Sequence, residues 1–96
     1  MMQIVETLKF QRQRELIVTY IAQDKKSAAI SFLQRMKKKV NGLKNFPYKY
    51  RASLYYDDEE IRDMVFEKYT IVYQIQNQQN KIIILEIFNK NKPPQI

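Results

Sequence analysis

Hydrophobic residues recur with two different periods along the chain, and the change of period separates a helical half from a strand-rich half. In residues 29–43 the apolar positions step by three and four, which is the spacing of one face of an α-helix. Beyond residue 48 apolar and polar residues alternate or form short apolar runs, as they do in β-strands. The pattern therefore predicts helices followed by a set of strands.

Three elements are predicted in the first half. Alternation over residues 4–9 predicts an edge or half-buried strand. A one-sided apolar stripe predicts a first helix over about residues 11–22. Asp24 is a suitable N-cap for a second helix that runs to about Lys44, and Pro47 lies just beyond its end. The polar side of this second helix, rich in Lys and Arg, is predicted to be a solvated outer face.

The second half is predicted to be a series of strands joined by short turns. Polar clusters at residues 57–60, 67–68 and 77–80 have the composition of turns. The predicted strands cover residues 48–56, 61–66, 69–76 and 82–88. Residues 93–96, which begin with two prolines, are predicted to form a short tail.

The element order β-α-α-β-β-β-β, in a single domain over residues 1–96, predicts an α+β fold. We expect the two helices to form a hairpin packed on one face of a mostly antiparallel, twisted sheet. The other face of the sheet should then be open, with aromatic and cationic side chains on it. An exposed surface of that kind marks a binding site.

The amino-acid composition excludes most kinds of catalytic site. The 96 residues include no Cys, no His and a single Gly, Gly42. These absences exclude disulfides, thiol and imidazole catalysis, the usual metal ligands and a glycine-rich phosphate loop. We therefore expect no cofactor and no metal. The chain also shows no signal-peptide pattern and no apolar run near 20 residues, so we expect a cytoplasmic protein without membrane contact.

The charge pattern favours an anionic partner. The net charge is +7, although six of the ten acidic residues lie in the short segment 57–67. A basic protein of this size attracts polyanions or acidic proteins, with a strength that falls as salt rises. The acidic segment itself is predicted to be a solvated hairpin loop.

Several side chains in the strand-rich half are candidates for chemistry or binding. On the predicted strand 48–56, Lys49, Arg51 and Tyr55 share one face with Ser53, so an aromatic ring lies among cations as it does on surfaces that bind RNA bases. Arg62 either neutralises the neighbouring acidic residues or binds a ligand. Glu86 interrupts an otherwise apolar strand, and we expect it on the open face or paired with a cation, because an unpaired buried carboxylate is costly.

The order of these segments resembles the RelE/ParE superfamily of small toxins from bacterial type II toxin–antitoxin systems. The resemblance covers residues 4–92. Its clearest part is Tyr69-Thr70-Ile71-Val72-Tyr73, a strand with Tyr at both ends of an apolar triplet. The other resembling segments are the opening strand, Tyr20-Ile21-Ala22, Ala28-Ala29 to Phe32, Leu43-Lys44-Asn45-Phe46-Pro47 and Arg62-Asp63-Met64-Val65.

The resemblance implies a growth-inhibiting toxin that a cognate antitoxin protein neutralises through an acidic or amphipathic segment. Two activities occur in the superfamily. RelE-like members cleave mRNA in the ribosomal A site without a metal, whereas ParE-like members poison DNA gyrase and are not nucleases. The choice between these two activities depends on which RelE-like residues the chain retains.

The chain retains only part of the RelE-like residue pattern. Lys49 and Arg51 match a Lys-x-Lys pair, but Thr70 occupies the place of an Arg that stabilises transition-state charge, and Asn89 to Lys92 replace a basic or aromatic group. The resemblance therefore favours a ParE-like gyrase poison that is not itself a nuclease. The residues implied for binding are Lys49, Arg51, Arg62, Asn89, Lys90 and Lys92.

Two alternatives stay open. If the protein is instead a ribosome-dependent mRNA endoribonuclease, its partners are the ribosome and mRNA, and the catalytic candidates are Lys49, Arg51, Tyr55, Lys90 and Lys92. A lysine is a poor substitute for the missing Arg, because an ammonium group cannot contact a phosphate in the bidentate way that a guanidinium does. On charge alone, the chain could also be a non-toxic basic module that binds RNA or protein.

Overall fold

A computed structural model describes residues 2–93 and confirms the α+β fold class, with a pair of helices on a four-stranded mixed sheet. Within the described residues, no helix is long and apolar enough to span a bilayer. The predicted tail at residues 93–96 lies outside this description except for Pro93. The elements are β1 (Gln3–Glu6), α1 (Leu8–Asp24), α2 (Lys26–Asn41), a 3₁₀ turn (Gly42–Lys44), β2 (Ile61–Phe66), β3 (Tyr69–Gln76), a second 3₁₀ turn (Asn77–Gln79) and β4 (Lys81–Asn89).

The sheet has the strand order β1-β4-β3-β2. β2, β3 and β4 form an antiparallel meander, and β1 joins the outer side of β4 in parallel, with Ile4 opposite Ile82. The predictions of an edge position for β1 and a central position for β4 are confirmed. A register shift between Val72 and Tyr73 marks a β-bulge against β4.

The core lies between the helical hairpin and one face of the sheet. The periodic residues of the predicted second helix are all buried, which confirms the strongest helical pattern in the sequence. Phe32 packs with its ring centroid 5.4 Å from that of Phe66 and 5.7 Å from that of Tyr69. The buried helical residues are Phe10, Ala29, Phe32, Met36 and Val40, and Leu43 follows in the 3₁₀ turn.

The predicted first strand is too long because Thr7 starts a helix. The backbone N–H of Phe10 donates to Thr7 Oγ1 at 3.1 Å, which makes Thr7 the N-cap of α1. The same hydroxyl lies 2.9 Å from the carbonyl oxygens of Ile84 and Leu85, at the point where β1 no longer covers β4. Thr7 therefore ends the strand, begins the helix and caps the exposed edge of β4.

The predicted N-cap at Asp24 is wrong. Asp24 is the last residue of α1, and Lys25 alone, with an extended backbone (φ −156°), separates the two helices. Lys25 makes no capping hydrogen bond through its side chain. The connection is shorter than the sequence suggests because the backbone N–H of Lys25 still bonds to Ile21 of α1, so the first helix continues to the very start of the second.

The predicted strand over residues 48–56 does not form, so three strands and not four follow the helices. The segment is a loop that touches β2 through one isolated bridge, Ala52 to Arg62, with hydrogen bonds from Asp63 N to Arg51 O (3.2 Å) and from Ser53 N to Ile61 O (2.8 Å). Side chains hold the rest of this loop, as described below. The acidic residues 57–60 consequently end a long loop instead of joining two strands.

Candidate functional site

A basic groove lies where the end of α2, the loop that follows it and the outer strand β2 meet. Its volume is about 550 Å³. The groove forms because the chain turns back after α2 and brings its aromatic residues against the basic side of that helix. The basic groove is lined by Arg35, Lys38, Lys39, Gly42, Phe46, Lys49, Tyr50, Val65, Phe66 and Glu67.

Tyr50 brings two lysines together in the basic groove. Its ring centroid lies 5.7 Å from Lys39 Nζ and 5.5 Å from Lys49 Nζ. These distances suit cation–π contacts, which favour the charged ammonium groups beside the ring. One cation comes from the helix and the other from the loop, so this site exists only in the folded chain.

The basic groove also contains an ion pair that occupies its only arginine. Arg35 Nε lies 2.7 Å from one Glu67 oxygen and Arg35 Nη2 lies 3.2 Å from the other, which is a bidentate contact. The hydrogen bond to Glu67 raises the pKa of Arg35, and Ser31 accepts a further bond from the guanidinium at 2.8 Å. The lysines carry the remaining charge of the groove, since no carboxylate within residues 2–93 pairs with Lys38, Lys39 or Lys49.

A second cluster orders the loop before β2. The Tyr48 hydroxyl donates to Glu60 and accepts from Asn77 Nδ2 at 2.7 Å, and the bond to Glu60 raises the pKa of Tyr48. Arg62 covers the Tyr48 ring, with its guanidinium carbon 5.0 Å from the centroid. It also donates to the carbonyl of Tyr50 at 3.0 Å. Arg62 is therefore engaged with loop backbone and ring, and forms no salt bridge with the acidic residues of the described chain.

The loop residues 51–58, which we call the strap, cross the face of the sheet opposite the helices. The Tyr56 hydroxyl donates to Glu86, a residue of β4 with 2% exposure. This hydrogen bond, together with burial, raises the pKa of Tyr56 to about 12. Lys9 Nζ lies 3.3 Å from the other Glu86 oxygen, which confirms the prediction that Glu86 pairs with a cation.

The prediction of an open sheet face opposite the helices is wrong. The strap covers that face where it crosses β2, β3 and β4. Ile71 and Tyr73 face the helices, so Thr70 and Val72 alternate to the opposite face, yet these two are only 1% and 0% exposed. The Tyr55 ring packs edge-on against Phe88 at 5.1 Å. Tyr55 thus covers part of the sheet and does not share a strand face with Lys49.

Asp63 anchors the other end of the strap. Its carboxylate is buried, and Oδ2 accepts from the backbone N–H of Leu54 at 3.0 Å and lies 3.5 Å from Arg51 Nη2. Oδ1 has no hydrogen-bond partner among the described residues. Arg51 is half exposed, so its charge is divided between Asp63 and solvent. This arrangement commits Arg51 to the strap.

The residues predicted to form one site lie at three separate places. Lys49 is in the basic groove, Arg51 and Tyr55 belong to the strap, and the C-terminal candidates follow β4. Asn89 Oδ1 accepts from the backbone of Asn91 at 2.9 Å, while Lys90 and Lys92 are exposed and contribute backbone bonds to Lys68 and Asn89. Thr70, at the place of the RelE-like arginine, is buried. The arrangement brings no catalytic base and acid of the proposed set together.

Of the ten residues that line the basic groove, sequence reasoning identified only Lys49 as a site residue. Lys38 and Lys39 belong to the helix face that is predicted to be solvated. Tyr50 falls on the face of the predicted strand 48–56 opposite Lys49, and Phe46 lies in the resembling segment before Pro47. The available signal was the run of lysines near the end of α2, followed within eleven residues by Phe46 and Tyr50. It could not reveal which of these side chains meet after the chain turns.

A second groove lies between α1, α2 and the free edge of β1. Its volume is about 610 Å³, and its apolar walls carry the cations Arg14 and Lys37. Arg14 is held by Glu6 at 2.6 Å and lies 5.1 Å from the Phe10 ring centroid. The helix–edge groove is lined by Ile4, Glu6, Phe10, Gln11, Arg14, Leu33, Met36, Lys37, Val40 and Asn41. Apolar walls with cations among them suit an amphipathic acidic segment.

No metal centre is assembled from the side chains of residues 2–93, where no three Asp or Glu residues are placed to hold an ion. The buried carboxylate of Glu86 is engaged with Tyr56 and Lys9.

Comparison with known proteins places these features in a family. The model of the family described as "ParE toxin of type II toxin-antitoxin system, parDE" matches residues 4–93. No curated protein sequence matches the chain significantly. Similar folds occur in solved structures of low sequence identity, which supports the fold and nothing finer.

Three of these structures illustrate the likeness. The chromosomal ParDE toxin–antitoxin system from P. aeruginosa gives a TM-score of 0.75 at 19% identity, covering 93% of this chain and 96% of that one. A metal-bound toxin from Helicobacter pylori gives 0.68 at 18% identity, covering 95% and 97%. The RelBE2 toxin–antitoxin complex from Mycobacterium tuberculosis gives 0.61 at 14% identity, covering 95% and 93%.

Proposed function

The chain belongs to the ParE toxin family of type II toxin–antitoxin systems, and from this premise we propose that it arrests growth by binding DNA gyrase in the cytoplasm. The family match over residues 4–93 carries the proposal. The dispersal of the RelE-like candidates supports it, because Lys49, Arg51 and Tyr55 have separate partners. A protein that acts by binding needs surfaces and no assembled acid and base.

The test of the target is direct. Purified protein is added to gyrase, and both DNA supercoiling and gyrase-dependent DNA cleavage are measured. Loss of supercoiling with accumulation of cleaved DNA is expected. Unchanged supercoiling and cleavage at micromolar protein would refute the gyrase proposal.

The ribonuclease alternative has weaker physical support. Cleavage of RNA without a metal needs a base, an acid and cations that stabilise the developing charge on the phosphate. Thr70 is neutral and buried, and Arg51 is engaged with Asp63. Primer extension on translated messages after induction distinguishes the alternatives, because new message ends with normal supercoiling would favour the nuclease.

We infer that an antitoxin segment of amphipathic, acidic character docks in the helix–edge groove. Leu33 lines this groove and is 36% exposed, so it can contact a partner without supporting the core. Leu16 on α1 is 74% exposed and does not line the groove, which makes it a matched control. Burying an apolar surface of this kind supplies most of the affinity in such contacts.

The antitoxin inference is tested by co-expression with the reading frame next to this gene. The partner is expected to relieve growth arrest and to co-purify with the wild-type chain and with Leu16→Asp. Leu33→Asp should lose the partner while keeping the wild-type unfolding temperature. Equal co-purification of both variants would show that the segment docks elsewhere.

A further inference from the structure

The basic groove brings two lysines of α2 together with one of the following loop, and none of the three has a carboxylate partner within residues 2–93. Lys38, Lys39 and Lys49 are all exposed and all line the groove. Arg35 and Glu67 neutralise each other beside them. The groove therefore carries a local positive charge of about +3 that is available to an anion.

Aromatic rings lie among these cations. Phe46 lines the groove and is 68% exposed, which leaves a large apolar ring in water unless a partner covers it. The Tyr50 ring is contacted by Lys39 and Lys49. Exposed rings interleaved with cations suit single-stranded nucleic acid, because every unpaired base has a face for stacking and each nucleotide carries one phosphate.

From this combination we propose that the basic groove binds single-stranded nucleic acid, with Lys38, Lys39 and Lys49 contacting phosphates and Phe46 stacking on a base. The proposal goes beyond gyrase binding and does not depend on it. Duplex DNA fits less well, because its bases are already stacked and expose no face to Phe46.

An acidic protein segment fits the groove less well than nucleic acid does. Carboxylates bind most specifically to the planar fork of arginine, but the arginine of this groove is already occupied by Glu67 in bidentate fashion. The remaining cations are lysines, whose compact charges suit phosphate oxygens on a flexible backbone. The exposed Phe46 ring adds a stacking surface that a run of acidic residues would not use.

Gly42 provides a way to alter the groove without disturbing the fold. It lines the groove with an ordinary helical backbone (φ −63°), and a Cβ atom added there meets no atom within 4 Å. Gly42→Glu therefore places a negative charge beside the lysines, and Gly42→Gln adds nearly the same volume without charge. Comparing these two variants separates the effect of charge from the effect of side-chain shape.

The experiment measures anisotropy of labelled oligo-dT, oligo-U and a duplex of equal length with the full chain at increasing salt. Three phosphate contacts predict that log K falls with log salt with a slope of about −2. Lys38→Gln/Lys39→Gln should reduce the slope by about 1.4. The matched control, Lys25→Gln/Lys26→Gln, removes the same charge at the other end of α2. It should keep most of the wild-type slope of log K against log salt. Phe46→Ala should weaken binding about tenfold.

Each outcome either supports or overturns the proposal. Weaker binding by Gly42→Glu than by Gly42→Gln supports it, and a preference for oligo-dT or oligo-U identifies the source of the strand. The proposal is overturned if the groove and control lysine pairs lose equal amounts of binding. It is also overturned if the duplex binds more tightly than the single strands, or if nothing binds at low salt. Competition by poly-glutamate at the same charge concentration as oligo-dT overturns it in favour of an acidic protein.

Discussion

The hydrogen bond from Tyr56 to Glu86 allows a quantitative test of how the strap is held on the sheet. Tyr56→Phe removes one hydroxyl with almost no change in shape. Glu86 is 2% exposed, so the oxygen that loses its donor cannot gain full hydration, although Lys9 keeps the other oxygen at 3.3 Å. Hydrogen bonds to charged groups contribute about 1.5–3 kcal/mol. We expect a loss of about 2 kcal/mol in the free energy of unfolding, or about 8–16 °C in Tm for a chain of this size.

The pH dependence of this loss in unfolding free energy shows whether the hydrogen bond from Tyr56 to Glu86 is its cause. Tyr56 has a pKa of about 12 in the folded chain, against 10.0 for an ordinary tyrosine. A raised folded pKa contributes stability that is complete below pH 10 and is lost as the pH rises from about 10 to about 12. The variant has no phenol at this position. The difference in unfolding free energy between wild type and Tyr56→Phe should therefore be constant below about pH 10 and shrink above it.

The assay is urea unfolding of both proteins at a series of pH values, with Tyr55→Phe as the matched control. The Tyr55 ring packs on Phe88, and its hydroxyl makes no hydrogen bond within the described residues, so this variant should unfold like the wild type. The reasoning is refuted if Tyr56→Phe lies within about 0.5 kcal/mol of the wild type at neutral pH, which is the range of ordinary surface substitutions. It is also refuted if the difference is unchanged above pH 10.

Three further substitutions test the fold through their unfolding free energies. Gly42→Ala should stabilise by about 0.4–1 kcal/mol, since the backbone is helical and the added methyl group meets nothing; a lower Tm would contradict this. Thr7→Ala should cost about 2 kcal/mol, because the helix loses its cap and the β4 carbonyls lose a donor, whereas Thr7→Ser should recover most of it. Phe32→Ala should cost about 3–5 kcal/mol, and a loss below about 1 kcal/mol would show that the core can collapse around the cavity.

The sequence predicts well those elements in which burial alone determines the spacing of the apolar residues. The predicted bounds of β2 and β3 agree with the structure at both ends, and the stripe of α2 is buried as its period requires. Most apolar residues of these segments are buried against the core, and Val65 at 45% exposure and Ile30 at 59% exposure are exceptions. Local composition is then a sufficient guide to structure.

The loop between α2 and β2 shows why the rest could not be predicted. Its alternating tyrosines mimic a strand, yet Tyr48 and Leu54 are 43% and 70% exposed. The hydroxyls of Tyr48 and Tyr56 bind Glu60 and Glu86, so the ordering contacts come from single long-range hydrogen bonds with no period. The basic groove depends on this loop, and for that reason its members could not be grouped from the sequence.

The parallel pairing of β1 with β4 has a consequence for how the protein is made. Residues 3–6 can take their place only beside residues 81–84, and Thr7 bonds to Ile84 across 77 positions. A chain still growing on the ribosome lacks the strand that joins both sides of the sheet until residues 81–89 have been translated. At about 5–20 residues per second, synthesis leaves the first strand and both helices without that support for several seconds. We therefore expect the toxin to acquire this fold only after residues 81–89 have been synthesised, which gives an antitoxin already present in the cell the first opportunity to bind it.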